Sequence, residues 1–141
     1  MLRRSILVAP LAFVLLSTAA MAGPAEDLAR SRIQNIAAGD LAKVAADYGA
    51  GATLHWVGGP LDGTYSDPEA IKAVWSKFFT AQGSQKPTVA AVSEAANPKG
   101  ATVTADVAFA GKATVKVRYV LVYRDGKLVD EVWQVNPAAA Y

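Results

Sequence analysis

The chain contains no cysteine and a single histidine, His55. No disulfide can form, so the fold must be held by its core alone. With no thiolate and one imidazole, a structural zinc site has too few ligands of the right kind, and no metal or cofactor is expected. Long runs of like charge are also absent. Basic and acidic residues alternate, which leaves no patch for a nucleic acid or another polyanion. Repeats and low-complexity tracts are missing, and no second long apolar run follows residue 22.

What is present begins with residues that belong to targeting. Arg3 and Arg4 precede the apolar stretch "SILVAPLAFVLL", and "AMA" at residues 20–22 has the small–x–small form of a signal-peptidase site. The apolar run is too short to cross a bilayer comfortably. The expectation is a secretory signal peptide over residues 1–22, cleaved after Ala22. The product is a periplasmic or secreted domain, 23–141, with no membrane contact after cleavage. Cleavage removes two of the 14 basic residues and none of the 12 acidic ones, leaving 12 of each and no net charge.

The remaining 119 residues suit one domain. Helical periodicity marks "AEDLARSRIQNIAAGD", where Leu28, Ala29, Arg32, Ile33 and Ile36 share a face and Gly39 stops the helix. Asp40 starts a short second helix, "DLAKVAADY". The segment "ATLHWV" alternates as a strand and "GGPLDG" has turn chemistry. Asp67 as N-cap and Pro68 at the first position open a third helix, with Ser66 and Glu69 as a competing capping box. Ile71, Val74, Trp75, Phe78 and Phe79 form its apolar face.

The period then changes from 3.6 to 2. Strands are expected at about 87–95, 101–109, 113–124 and 127–135. In "VYRDGKLV", Asp–Gly between alternating strands predicts a two-residue type I′ hairpin. Helices followed by a strand meander imply an α+β fold, a curved antiparallel sheet packed on three helices around a cone-shaped cavity.

An Arg124–Lys127 pairing fixes the register of a regular hairpin. It places Arg118, Val120, Val122, Val129, Glu131, Trp133 and Val135 on one face. Val117, Tyr119, Leu121, Tyr123, Leu128, Asp130, Val132 and Gln134 take the other. Both faces are largely apolar, so one is expected to cover the helices and the other to meet a partner in a homodimer. Arg118 beside Trp133 and Glu131 reads either as the polar floor of an apolar pocket or as a cross-strand group at the sheet rim.

The segments "AAGDLAKVAADYGAGATLHWVGGPLDGTYSDPEAIKAVWSKFF" and "VLVYRDGKLVDEVWQV" together resemble the nuclear transport factor 2-like superfamily. The similarity is greatest to its SnoaL-like and ketosteroid-isomerase-like branches. It covers residues 25–136 and implies a cone-shaped α+β barrel, commonly dimeric, with a pocket between sheet and helices. Aligned on the Gly39–Asp40 break, the strand entry and the terminal hairpin, the isomerases' oxyanion-hole tyrosine falls at Arg32. Their proton-transferring aspartate falls at Trp56 and their second oxyanion-hole residue at Arg118. None of the three matches, so the isomerase mechanism does not carry over. Two arginines at cavity positions favour a pocket-lining Arg118.

Two functions from different classes remain open. One is a protein that binds a small anionic or carbonyl-bearing ligand through Arg32, Trp56, Trp75, Phe78, Arg118, Val120, Glu131 and Trp133. The other is a lyase, isomerase or hydrolase with Glu131 or His55 as base and Arg118 as electrostatic stabiliser. Strand parity sets Leu54 and Trp56 on one side of the first strand and His55 on the other, unless a bulge intervenes. A third possibility is an assembly or accessory domain that uses its apolar sheet face.

Overall fold

The computed structural model describes residues 23–141. The proposed signal segment lies outside the described residues. Three helices, α1 (Pro24–Ala37), α2 (Leu41–Ala46) and α3 (Pro68–Gln82), pack on six strands. These are β1 (Tyr48–Val57), β2 (Gly63–Tyr65), β3 (Lys86–Asn97), β4 (Gly100–Ala110), β5 (Thr114–Arg124) and β6 (Lys127–Val135). The α+β expectation holds. The sheet, however, runs in the order β2-β1-β6-β5-β4-β3 and is mixed and open. β1 pairs in parallel with β6, the last strand, whereas every other pairing is antiparallel.

Local sequence explains the element ends. The Asp67 carboxylate accepts the Ala70 N–H at 3.0 Å and Pro68 opens α3, so the N-cap prevails over the Ser66–Glu69 box. Asp40 caps α2 through the Lys43 N–H. Asp125 and Gly126 both have positive φ, 50° and 72°, as a type I′ turn requires. On α1 the buried stripe is Ala25, Ala29, Arg32, Ile33 and Ile36, while Leu28 is exposed.

The hairpin register departs from the regular pattern, and this decides what faces the core. Arg124 pairs with Lys127 and Tyr123 with Leu128 as expected, but Val122 then pairs with Asp130. Val129 is an extra residue, a β-bulge, and from there every partner is displaced by one. Tyr119 sits opposite Trp133 and Leu121 opposite Glu131. A one-residue slip moves side chains to the other face. The inner face therefore carries Val117, Tyr119, Leu121, Tyr123, Leu128, Glu131 and Trp133, all buried. Arg118, Val120 and Val122 lie on the outer face. The expected pairs Arg118–Trp133, Val120–Glu131 and Val122–Val129 do not form.

A second irregularity lies in β1. Tyr48 pairs with Leu128 and Thr53 with Asp130, so residues 49–52 have no register partners on β6 and form an arch between the two pairings. Gly51, with φ 71°, allows the arch, because this backbone region is costly for residues with a Cβ.

The bulge makes a specific deletion tolerable. Removing Val129 restores regular alternation and leaves Glu131 and Trp133 facing inward. The shortened chain should therefore unfold cooperatively with a native near-ultraviolet circular dichroism spectrum. Deleting Val132 instead turns Trp133 outward and should abolish the cooperative transition.

Candidate functional site

The inner faces of sheet and helices enclose two kinds of packing. Toward the β1–α3 end, aromatic rings fill the cone. Trp133 lies 5.1 Å from Trp56, 5.1 Å from Trp75, 5.4 Å from Phe78 and 5.2 Å from both Phe109 and Tyr119, centroid to centroid. Most of these pairs are edge-to-face or tilted, the arrangement that places a ring edge against the negative face of its neighbour. Trp56, Trp75, Phe78 and Trp133, expected to wall a cavity, are all buried members of this core.

The second region is polar. Arg32 is fully buried, and a buried guanidinium requires a partner for each donor. Its Nε donates to Glu131 Oε2 at 2.8 Å and to the Tyr119 hydroxyl at 2.7 Å. Its Nη1 donates to the Val44 carbonyl and to Asp47 Oδ2, both at 2.9 Å, and its Nη2 to the Tyr48 hydroxyl at 2.8 Å. Glu131, also fully buried, accepts from both tyrosine hydroxyls as well. The Trp75 indole N–H donates to Tyr48 Oη at 2.8 Å, and the guanidinium lies 4.7 Å from the Tyr48 ring centroid. One cation, two carboxylates and two tyrosines thus close on themselves.

The electrostatics follow from this closure. Burial, the largest single influence, opposes a charge on Arg32, but Glu131, Tyr119 and Tyr48 together outweigh it and hold the guanidinium pKa well above its usual value. Tyr48 and Tyr119 are both pushed far up, first by burial and then by the adjacent Glu131, with Arg32 opposing. Burial also raises Tyr123, again against the influence of Arg32. The Tyr48 and Tyr119 hydroxyls remain protonated in the folded protein and donate to Glu131. A Glu131 carboxylate held by three donors is poorly placed to take a proton from a substrate.

The other candidates are placed plainly. Leu54 and Trp56 face inward, and His55 faces outward. Its Nε2 is 3.2 Å from Asp130 Oδ1, and its Nδ1 is 3.5 Å from Thr64 Oγ1. Arg118 is outside, its side chain 60 % exposed and 3.3 Å from Asp106 Oδ1. Val120 is beside it on the same outer face, opposite Val132. The bulge at Val129 removes both from the inner surface. Of the residues expected at the site, the structure therefore brings together Arg32, Glu131 and Trp75 in the polar cluster, and Trp56, Phe78 and Trp133 in the aromatic one.

Tyr48, Asp47 and Tyr119 complete the cluster and did not stand out in the sequence. The signal that was present is Arg32 on the apolar stripe of α1, since an arginine buried there demands a carboxylate from another element.

Two clefts open near this core. One, of about 380 Å³, is walled by Trp56, Leu61, Phe78, Val115 and Val135, with Lys77 at its rim. A smaller one, about 160 Å³, lies under the β1 arch against Tyr48, Ile71 and Trp75.

The SnoaL-like domain model matches residues 29–131. The chain belongs to the SnoaL-like domain family. Solved structures agree on the fold. A protein from Xanthomonas campestris, provisionally assigned as a calcium/calmodulin-dependent protein kinase II association domain, is 20 % identical with a TM-score of 0.67. That match covers 84 % of this chain and 91 % of the other. A nuclear transport factor 2-like protein of unknown function from Pseudomonas putida is 16 % identical with a TM-score of 0.67, covering 78 % and 82 %. A protein provisionally assigned as a polyketide cyclase from Sinorhizobium meliloti is 15 % identical with a TM-score of 0.54, covering 77 % and 94 %. At these identities the likeness shows the fold alone. Among curated proteins no significant match is found.

The closed cluster predicts an asymmetry between single and double substitutions. Arg32→Met alone strands the buried Glu131 carboxylate and should cost about 3–5 kcal/mol. Arg32→Met combined with Glu131→Leu should recover much of that loss. Urea unfolding of the three proteins checks both expectations.

Proposed function

We propose that this SnoaL-like domain binds a small, largely apolar ligand with an anionic or carbonyl end in the cleft beside Trp56 and Phe78. The observation that carries the reading is the cleft itself. Its volume, about 380 Å³, is within the range of small-molecule sites, and apolar side chains line most of it. Trp56 and Phe78 present ring surface there while their bodies belong to the core. Gln82, also at the cleft, is occupied: its amide bonds the Ala113 carbonyl at 2.8 Å and the Ala113 N–H at 3.2 Å. Lys77 is exposed, and among the described residues it has no carboxylate partner. It supplies the cation that would meet an acidic or carbonyl end. Arg32 and Arg118, the cations expected for that role, are respectively enclosed by Glu131 and turned to the outer face.

Binding is a better reading than catalysis. Glu131 is surrounded by its own donors, and His55 lies on the far side of the sheet from either cleft. The proposed setting is the periplasm or outside the cell, after cleavage at Ala22, and the balanced charge of the mature chain gives no reason to expect a nucleic-acid partner. Benzoate, phenylacetate and benzyl alcohol are suitable probes. The acids should shift tryptophan fluorescence and raise the melting temperature more than the alcohol does. Leu61→Asp should remove the response, and Lys77→Ala should remove the preference for the acids. An unaltered spectrum and melting temperature with all three probes would refute the reading.

The outer sheet face supports a second element of the proposal, a homodimer through the sheet. Val120 and Val132 are cross-strand neighbours at its centre, with Val122 beside them. The flanking charges are already paired as His55–Asp130 and Arg118–Asp106. Such a face can meet a copy of itself without stranding a charge. Light scattering at about 100 µM should give twice the chain mass, and Val132→Glu should give the chain mass. A wild-type monomer at that concentration would exclude the dimer.

A further inference from the structure

The first helix is capped from a distance. Gly23 is its N-cap residue and has no side chain to offer the free N–H groups of the first turn. Glu94, 69 residues from Ala25 and on the edge strand β3, supplies the acceptor instead. Its Oε1 accepts the Ala25 N–H at 2.8 Å and the Glu26 N–H at 3.2 Å. The carboxylate occupies the space a capping side chain on residue 23 would take, since a Cβ added to Gly23 would collide with Glu94 Oε2. Oε2 accepts no hydrogen bond among the described residues.

Gly23 is also the residue that follows the "AMA" sequence, so cleavage after Ala22 would convert its amide nitrogen to an ammonium. A positive charge at a helix N-terminus is unfavourable, because it adds to the positive end of the helix dipole. It is tolerable where a carboxylate is already in place. We infer that Glu94 receives the newly made N-terminus of the processed chain, its Oε2 accepting the Gly23 ammonium while Oε1 continues to cap α1. The inference rests on the cleavage position proposed above. Its consequence is that processing does more than remove a segment. It creates an ion pair that fastens the start of α1 to β3 and makes the docked helix more stable in the processed chain than in a longer one. Gly23 then has two functions. It becomes the cleavage-created terminus, and with no side chain it leaves room for the Glu94 carboxylate.

Other ionisable groups in this corner are Glu26 and Asp27 on α1, and Tyr123 and Asp125 where the β5–β6 hairpin borders it. The two helix carboxylates also favour a cation, but Glu26 is engaged with Arg30 at 2.8 Å. Glu94 is the acidic group that contacts Gly23. Its pairing raises the pKa of the folded ammonium above the unfolded value, about 7.7–8.0 for an α-amine. The stabilisation is fully present below that range and is lost as the pH rises through the folded value.

Four chains test the inference. One starts at Gly23, one carries a single extra Ala22, and each is made with and without Glu94→Gln, which keeps an oxygen for capping but removes the charge. At pH 6.5 the Gly23 chain should melt higher than the Ala22 chain, and Glu94→Gln should erase that difference. The amine of the Gly23 chain, followed by NMR after reductive methylation, should titrate about one unit higher than in its Glu94→Gln version. Equal amine titration with and without Glu94→Gln would overturn the ion pair. So would a melting difference that survives the substitution. Separately, the intact mass of protein exported from the full-length gene should correspond to a chain starting at Gly23. Any other start overturns the role in processing, whatever the Gly23 chain shows in solution.

Discussion

The contact between Arg32 and Glu131 is the constraint that organises the interior. One partner comes from the first helix and the other from the last strand, 99 residues apart. A buried guanidinium and a buried carboxylate are each costly alone, so the two elements are compelled to meet at one height and one angle. Tyr48 and Asp47 join from the α2–β1 junction, Tyr119 from β5 and Trp75 from α3. All three helices and strands β1, β5 and β6 thus contribute to a single network. A hydrophobic core accepts many near-equivalent packings, whereas a network of directional hydrogen bonds accepts few. The aromatic cluster around Trp133 supplies apolar burial, and the polar cluster selects the arrangement in which it occurs.

The same economy shapes what the protein can do. Two of the three positions that the superfamily resemblance points to as catalytic are used here for packing and charge neutralisation, and the third, Arg118, faces outward. Trp56 belongs to the ring cluster, and Arg32 is saturated by its neighbours. With the interior occupied, the open space lies in the clefts at its edge, where Trp56 and Phe78 form part of the wall and Lys77 is exposed. Family membership fixes the scaffold, and the residues within it decide the activity.

Much of this was legible in the sequence. The helix caps at Asp40 and Asp67, the Asp125–Gly126 turn, the inward Trp56 and the outward His55 all follow from local rules acting over a few residues. What was not legible came from two irregularities in strands. Alternation alone cannot reveal that Val129 is a bulge, because the stretches on either side of it are each perfectly regular. The error therefore passed undiminished along the hairpin, and Arg118 exchanged places with Tyr119. The parallel β1–β6 pairing joins segments some 80 residues apart, which no local signal records. Arg32 was visible as an arginine on an apolar stripe, but its partners could be identified only once the register was known.

The place of β6 in the sheet has a consequence for the order of folding. This strand is the last in chain order of the six described, yet it lies between β1 and β5 and carries both Glu131 and Trp133. Until it is available, β1 with β2 has no route into the rest of the sheet, Arg32 has no buried counter-ion, and the ring cluster lacks its central member. The early helices can form and fray, but a closed core requires contacts of very high sequence separation, which form slowly. The core can therefore close only once β6 has docked between β1 and β5, a step that joins segments far apart along the chain.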